Sequence, residues 1–212
     1  MARTALLLGG MTEKFHQFLI NGPAAREILN QNGFQTFLSE DIEVLASPGL
    51  AHYDLVVNLT TGRVLDAAQE HGLLAFLRSG RGLVGIHNAA DTFKNSAAYI
   101  EALGGRFLRH PPQLDIAVEY TDPAHPIVAG LPAFTVHDEL YLLEWHPERA
   151  HLLAETRSHE DRPVPIAWIR QEGAGRVFYL SLGHNRSTYD DQTFRELLGR
   201  GARWAVGDAA GA

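Results

Sequence analysis

The chain contains no cysteine. Disulfides, thiolate metal ligands and a cysteine nucleophile are therefore all excluded. Long apolar runs are missing too: none approaches the roughly 20 residues that cross a bilayer. The first apolar run, Ala5 to Leu8, is too short for a signal-peptide core. The expected location is the cytoplasm, with no membrane partner. A basic stripe of the kind that neutralises nucleic-acid phosphates is also lacking. Net charge is −7 with the basic residues scattered, so nucleic acid is not an expected partner and the acidity reads as solubility. No internal repeat, low-complexity segment or linker interrupts the chain, and its 212 residues read as a single domain, 1–212. Hydrophobic residues at 45% and charged ones at 20% match ordinary globular usage. The residues after Val206 read as a frayed tail.

Histidine is what the chain has in plenty: 11 residues, several of them where strands should end. Thr4 to Leu8 followed by Gly9-Gly10 reads as a buried first strand running into a loop. Pro23 suits a first helical turn, and Ala25, Ile28 and Leu29 continue the helix until Asn32-Gly33. Phe34 to Leu38 and Asp54 to Leu59 read as the next strands. Asp66 with Gln69 has capping-box spacing, Leu73, Phe76 and Leu77 form an apolar stripe, and Gly80 closes that helix. Gly82 to Ile86 then reads as a central strand. This alternation predicts right-handed crossovers and a parallel sheet. Further on, Ile116 to Tyr120 and Phe134 to Leu143 read as strands. Pro165–Arg170 and Arg176–Leu182 flank a hairpin turn at Glu172-Gly173-Ala174-Gly175. A last helix puts Phe194, Leu197, Leu198, Gly201, Ala202 and Ala205 on one face behind an Asp190-Asp191 cap.

Ligands of open parallel sheets bind beyond the carboxyl ends of the strands. Four features converge there: the first loop with His16, the His87 turn, the His137-Asp138-Glu139 run, and Leu182-Gly183-His184. Gly85-Ile86-His87-Asn88-Ala89 has the outline of a nucleophile elbow with histidine at its centre. That imidazole can serve as general base or as a nitrogen ligand for zinc. The competing reading is a half-buried ring satisfying backbone groups at a turn. His110, between Arg109 and two prolines, reads as structural when taken alone. If 137–139 is strand, Glu139 shares a face with His137 and Asp138 does not; the competing reading is a solvated acidic turn. Asn185 and Arg186 add polar reach beyond His184. No local metal signature such as HExxH occurs, so a metal site would have to be assembled from distant segments. Nothing points to a nucleotide cofactor.

Together these segments resemble the ThuA-like (trehalose utilisation) family of the class I glutamine amidotransferase-like superfamily. The resemblance rests on Asn58-Leu59-Thr60-Thr61-Gly62, Val84 through Thr92, Arg109-His110-Pro111-Pro112, His137-Asp138-Glu139, Pro165-Ile166-Ala167-Trp168, and Gly175 through Tyr179 with Leu182-Gly183-His184. It implies an α/β, flavodoxin-like three-layer sandwich with a mostly parallel central sheet. It also implies a part in bacterial carbohydrate metabolism, on trehalose or a related glycoside or keto-glycoside. His87, His137, Glu139 and His184 are its expected catalytic residues. His16, Asn88, His110, Asp138 and Asn185 are expected to bind substrate. A divalent metal, zinc first, would fall to His87, His110, His137 and His184. With no cysteine at the elbow, glutamine amidotransferase activity is excluded, and a serine hydrolase has little support because no serine stands there.

Two functions from different classes follow. One is a sugar-processing enzyme of hydrolase, lyase or isomerase type. The other is a non-catalytic sugar-binding or regulatory module on a degenerate amidotransferase scaffold, in which Tyr141, Trp145 or Trp168 could stack on sugar rings unless they are core. Several titratable groups in one cleft favour the enzyme. A homo-oligomer is compatible with either.

Overall fold

The computed structural model describes residues 2–10 and 16–208. Residues 11–15 of the first loop and 209–212 of the expected tail lie outside the described residues. The strands are β1 (Arg3–Leu8), β2 (Phe34–Ser39), β3 (Leu55–Asn58), β4 (Gly82–Ile86), β5 (Gly105–Arg109), β6 (Leu114–Tyr120), β7 (Phe134–Asp138), β8 (Leu142–Trp145), β9 (His151–Thr156), β10 (Val164–Glu172) and β11 (Gly175–Leu180). The helices are α1 (Phe18–Gln31), α2 (Ala67–Arg78), α3 (Ala97–Leu103) and α4 (Gln192–Ala205). Among the described residues, nine strands form one sheet in the order β2-β1-β3-β4-β11-β10-β9-β6-β7, while β5 and β8 pair separately.

From β2 to β11 the neighbours run parallel. β3 and β4 are buried at every position, as strands covered on both faces must be. One face carries α1 and α4, whose Ile28, Leu29, Phe194 and Leu198 pack on Leu7, Val57 and Phe178. The other carries α2 and α3, whose Leu73, Leu77 and Leu103 pack on Leu6, Val56 and Val177. Beyond β11 every pairing is antiparallel. The sheet is therefore mixed, where a mostly parallel one was expected. The hairpin at Glu172–Gly175 reverses the chain, and no crossover helix follows β5 through β10 to restore the direction.

Local signals act as the sequence suggests at several ends. Asp66 and Gln69 form the capping box of α2, and Gly80 closes that helix region at φ +101°. Asp191 caps α4 by accepting from the amides of Thr193 and Phe194.

Three elements differ from expectation. α1 begins at Phe18, leaving Pro23 inside the helix. The buried Phe18 ring fills the space left by Gly9 and Gly22, where an added Cβ would come within 1.9 and 2.7 Å of it. That packing outweighs the bond a mid-helix proline forgoes. The run from 134 to 143 is two strands in different sheets. It breaks where Asp138 turns its carboxylate onto the next backbone amide, Glu139 N, at 2.8 Å. Asp208, in the expected tail, is held by Arg3 at 2.6 Å.

Candidate functional site

The carboxyl ends of β4, β7 and β11 each contribute a side chain to one cluster, and the start of α1 adds another. Ligating atoms of His16, His87, Glu139 and His184 all lie within 4.8 Å of one another. His87 is the first residue beyond β4, at φ +41°, a conformation a non-glycine residue adopts only where its surroundings enforce it. Two bonds do so. Tyr179 donates its hydroxyl to the His87 carbonyl at 2.7 Å, and His87 Nδ1 donates to the Ser181 carbonyl at 2.8 Å. The second bond follows from topology: Ile86 pairs with Leu180 in parallel register, so the residues just beyond them meet.

A carbonyl only accepts, so Nδ1 of His87 carries the proton and a neutral ring turns the lone pair of Nε2 inward. It faces the Glu139 carboxylate at 3.4 Å. His184 Nδ1 faces the same oxygen at 3.1 Å. Both nitrogens are buried, and neither makes a hydrogen bond among the described residues. Acceptor against acceptor in a buried site is unfavourable unless a positive charge lies between them. Burial pushes the Glu139 carboxyl up; when the imidazoles of His184 and His87 are protonated and donate to it, their hydrogen bonds and charge outweigh burial and hold the group well below the usual carboxylate range. Burial drives His16 down to about 3, helped by His87 and His184, so its ring is neutral at physiological pH.

His110 approaches the other Glu139 oxygen at 3.6 Å from a half-exposed position. Phe107 and Tyr141 lie beside its ring, and its Nδ1 donates to the Pro111 carbonyl at 2.8 Å. Beside His184, a crevice of about 180 Å³ is lined by Gln17, Ile20, Asn21, Asn185 and Arg186. A larger groove of about 430 Å³, walled by Leu45, Leu50, Phe76 and Arg81, lies at the amino ends of β3 and β4 and holds no cluster of titratable groups.

The structure separates His137 from the others. Within β7 the residues alternate, burying Phe134, Val136 and Asp138 and exposing His137. Its ring pairs across the strands with exposed Asp115 at 2.8 Å. Glu139 reaches the cluster because the chain turns at Asp138, so the alternation linking it to His137 no longer applies. Asp138 itself is fully buried and meets no open space. Its carboxylate accepts from the amides of Gly183, His184, Asn185 and Glu139 and from the Thr188 hydroxyl, at 2.7 to 3.2 Å. It ties the Glu139 turn to the His184 loop.

Asn88 is likewise buried behind the site, donating to the Leu59 carbonyl and to Thr61 Oγ1. Asn185 lines the crevice, but its amide is engaged by Gln113 and the His137 carbonyl. Tyr141 and Trp168 are core residues, with Tyr141 packed on His87 at 3.9 Å between ring centres. Thr61 and Tyr141, which bond to the two nitrogens of His16, carry no sequence signal of that role beyond Thr61 closing a strand.

A family model described as trehalose utilisation, ThuA, matches residues 5–205. The chain belongs to the ThuA family. Among solved structures, a ThuA-like protein from Parabacteroides merdae ATCC 43184 superposes with a TM-score of 0.88 at 20% identity, covering 100% of this chain and 93% of that one. A ThuA-like protein from Bacteroides uniformis ATCC 8492 gives 0.81 at 23%, covering 98% and 92%. The β-galactosidase from Rahnella sp. R3 gives 0.68 at 15%, but the likeness covers 94% of this ThuA chain and only 31% of that enzyme. At such identities the likeness is one of fold. No curated protein matches the sequence. No described helix is long and apolar enough to cross a membrane.

Proposed function

We propose that this ThuA family member is an enzyme acting on a sugar, trehalose or a related glycoside or keto-glycoside, at the His16–His87–Glu139–His184 cluster, with a divalent metal held there. One observation carries the reading: among the described residues, the buried Nε2 of His87 and Nδ1 of His184 lack hydrogen-bond partners and both confront one carboxylate oxygen. Two imidazoles and a carboxylate are a donor set that catalytic zinc accepts while keeping a position for substrate. Zinc is accordingly the first candidate, ahead of other divalent ions. When bound, the ion polarises a carbonyl or hydroxyl oxygen of the sugar.

The chain's own residues supply orientation and proton movement. Ser181 and Tyr179 lock the His87 ring and its backbone in place, so its free nitrogen is aimed before substrate arrives. Asp138 does the same for the His184 loop. His110, at the open side of Glu139, stands where a proton can pass between bound sugar and solvent, work that imidazole performs most often. The amide-lined crevice beside His184 suits a hydroxyl-rich ligand.

The same reading extends to the fold. The parallel strands run 2-1-3-4-11, the flavodoxin order with β11 as fifth strand, and helices cover both faces. We therefore take this half as flavodoxin-like and the scaffold as that of the class I amidotransferases.

An NMR time course of the protein with trehalose and with its keto derivative, with and without a chelator, tests the function. Turnover that stops in chelator and in His87→Ala supports it. Ligand line-broadening without turnover would replace the enzyme with a binding module.

A further inference from the structure

We infer that His16 stands outside the metal's ligand set and is instead the side chain that meets the sugar bound beside the ion, leaving His87, Glu139 and His184 as the protein ligands. The inference deepens the proposed function and rests on it. Its basis is the different state of the ring nitrogens. Among the described residues, His87 and His184 each keep one buried nitrogen without a partner. His16 keeps neither: Nδ1 lies 2.9 Å from Thr61 Oγ1, and Nε2 lies 3.2 Å from the Tyr141 hydroxyl. A ligand nitrogen must offer its lone pair to the ion, and both of those in His16 are already committed.

The brace around His16 is itself held. Asn88 donates to the Leu59 carbonyl at 2.6 Å, which fixes the orientation of its amide, and gives its second proton to Thr61 Oγ1 at 2.7 Å. Thr61 then has its own hydroxyl proton to give to His16. Tyr141 is clamped between the rings of His87 and Phe107. His16 thus flanks the other two imidazoles, at 5.2 and 5.1 Å between ring centres, edge-on to both. Three protein ligands leave a position for substrate. The next residue, Gln17, lines the crevice that runs past His184. A sugar lying in that crevice and reaching the ion passes His16, whose ring can then exchange its Tyr141 bond for one to a sugar hydroxyl.

The test is titration of metal-free protein with cobalt(II), followed by calorimetry and visible absorption, with circular dichroism to verify folding. Wild type should bind one equivalent. His87→Ala and His184→Ala should lose most of that affinity, whereas His16→Ala, Tyr141→Phe and Thr61→Val should stay within about threefold of wild type. Were His16 a ligand, the residue on its other ring nitrogen, Tyr141 for ligation by Nδ1 or Thr61 for ligation by Nε2, would be its supporting partner, and Tyr141→Phe or Thr61→Val would cost roughly 10- to 100-fold. That loss, or a loss in His16→Ala equal to that in His87→Ala, overturns the inference. Tyr141→Phe and Thr61→Val keep the test open if His16→Ala does not fold. Trehalose added to the cobalt-loaded protein should then perturb the spectrum of wild type and not of His16→Ala; an equal response in both removes the sugar-facing role. No cobalt uptake by wild type removes the metal reading itself, and this inference with it.

Discussion

Replacing Asp138 by asparagine separates two roles for a residue that lies beside the candidate site in sequence. In the structure its carboxylate is buried, with three donors on Oδ1 and two on Oδ2. Asparagine keeps the shape but turns one oxygen into a donor. Placed at Oδ2, the new NH₂ faces the Gly183 amide, which loses its acceptor, while the Thr188 hydroxyl must rotate to accept instead. One stranded buried amide costs roughly 1–3 kcal/mol, and the lost charge assistance of the remaining bonds, offset by the lighter desolvation of a neutral side chain, adds about 1 kcal/mol more in total. The expected cost is about 3 kcal/mol. For a domain of this length that lowers Tm by about 6–12 °C. Scanning calorimetry of the metal-free variant measures it, and Asp138→Ala, which removes every acceptor, should fall further. A Tm unchanged within about 2 °C, with sugar binding lost, would refute the reasoning and return Asp138 to the substrate-facing role that its neighbours in sequence suggest.

Two further outcomes follow. His137→Ala removes an exposed pair with Asp115, so stability should change by less than about 1 kcal/mol and cobalt affinity should not move; a loss of affinity in calorimetry would return His137 to the site. Metal-free protein should lose stability in acid in two stages. His16 is depressed from 6.5 to about 3 in the folded state, so the unfolded chain binds its proton first and stability declines as pH falls below 6.5. Glu139 is also lowered, from 4.5, and its contribution is lost as pH falls below that value. A Tm that is flat from pH 7 to 5 in chelator contradicts the placement of His16.

The parallel half of the fold was legible because its signals are local. The fully apolar run Gly82–Ile86 and the Asp66–Gln69 box announce β4 and α2 within a few residues. α3 carries a Ser96 cap and a closing Gly104 but is only seven residues long, and β5 and β9 carry no such marks, β5 pairing only with β8. The candidate site divides the same way. His87 and His184 could be picked out as strand-end residues, and the structure brings Glu139 beside them. The reason given for Glu139 was a shared face with His137, and it fails because Asp138 bends the chain between them. What holds the cluster together was not legible. Ser181 meets His87 only through the β4–β11 register, and Thr61, His16 and Tyr141 come from three distant segments. Contacts of that kind belong to topology and leave no periodicity to read.

The most direct test of the central claim is a crystal structure of the protein with one equivalent of zinc, with anomalous difference density measured on either side of the zinc edge. The account predicts one peak bonded to His87 Nε2, His184 Nδ1 and the Glu139 carboxylate, with His16 still on Thr61 and Tyr141. Density at His137–Asp115 or elsewhere on the surface, with the His87–Glu139 contact bare, would contradict it.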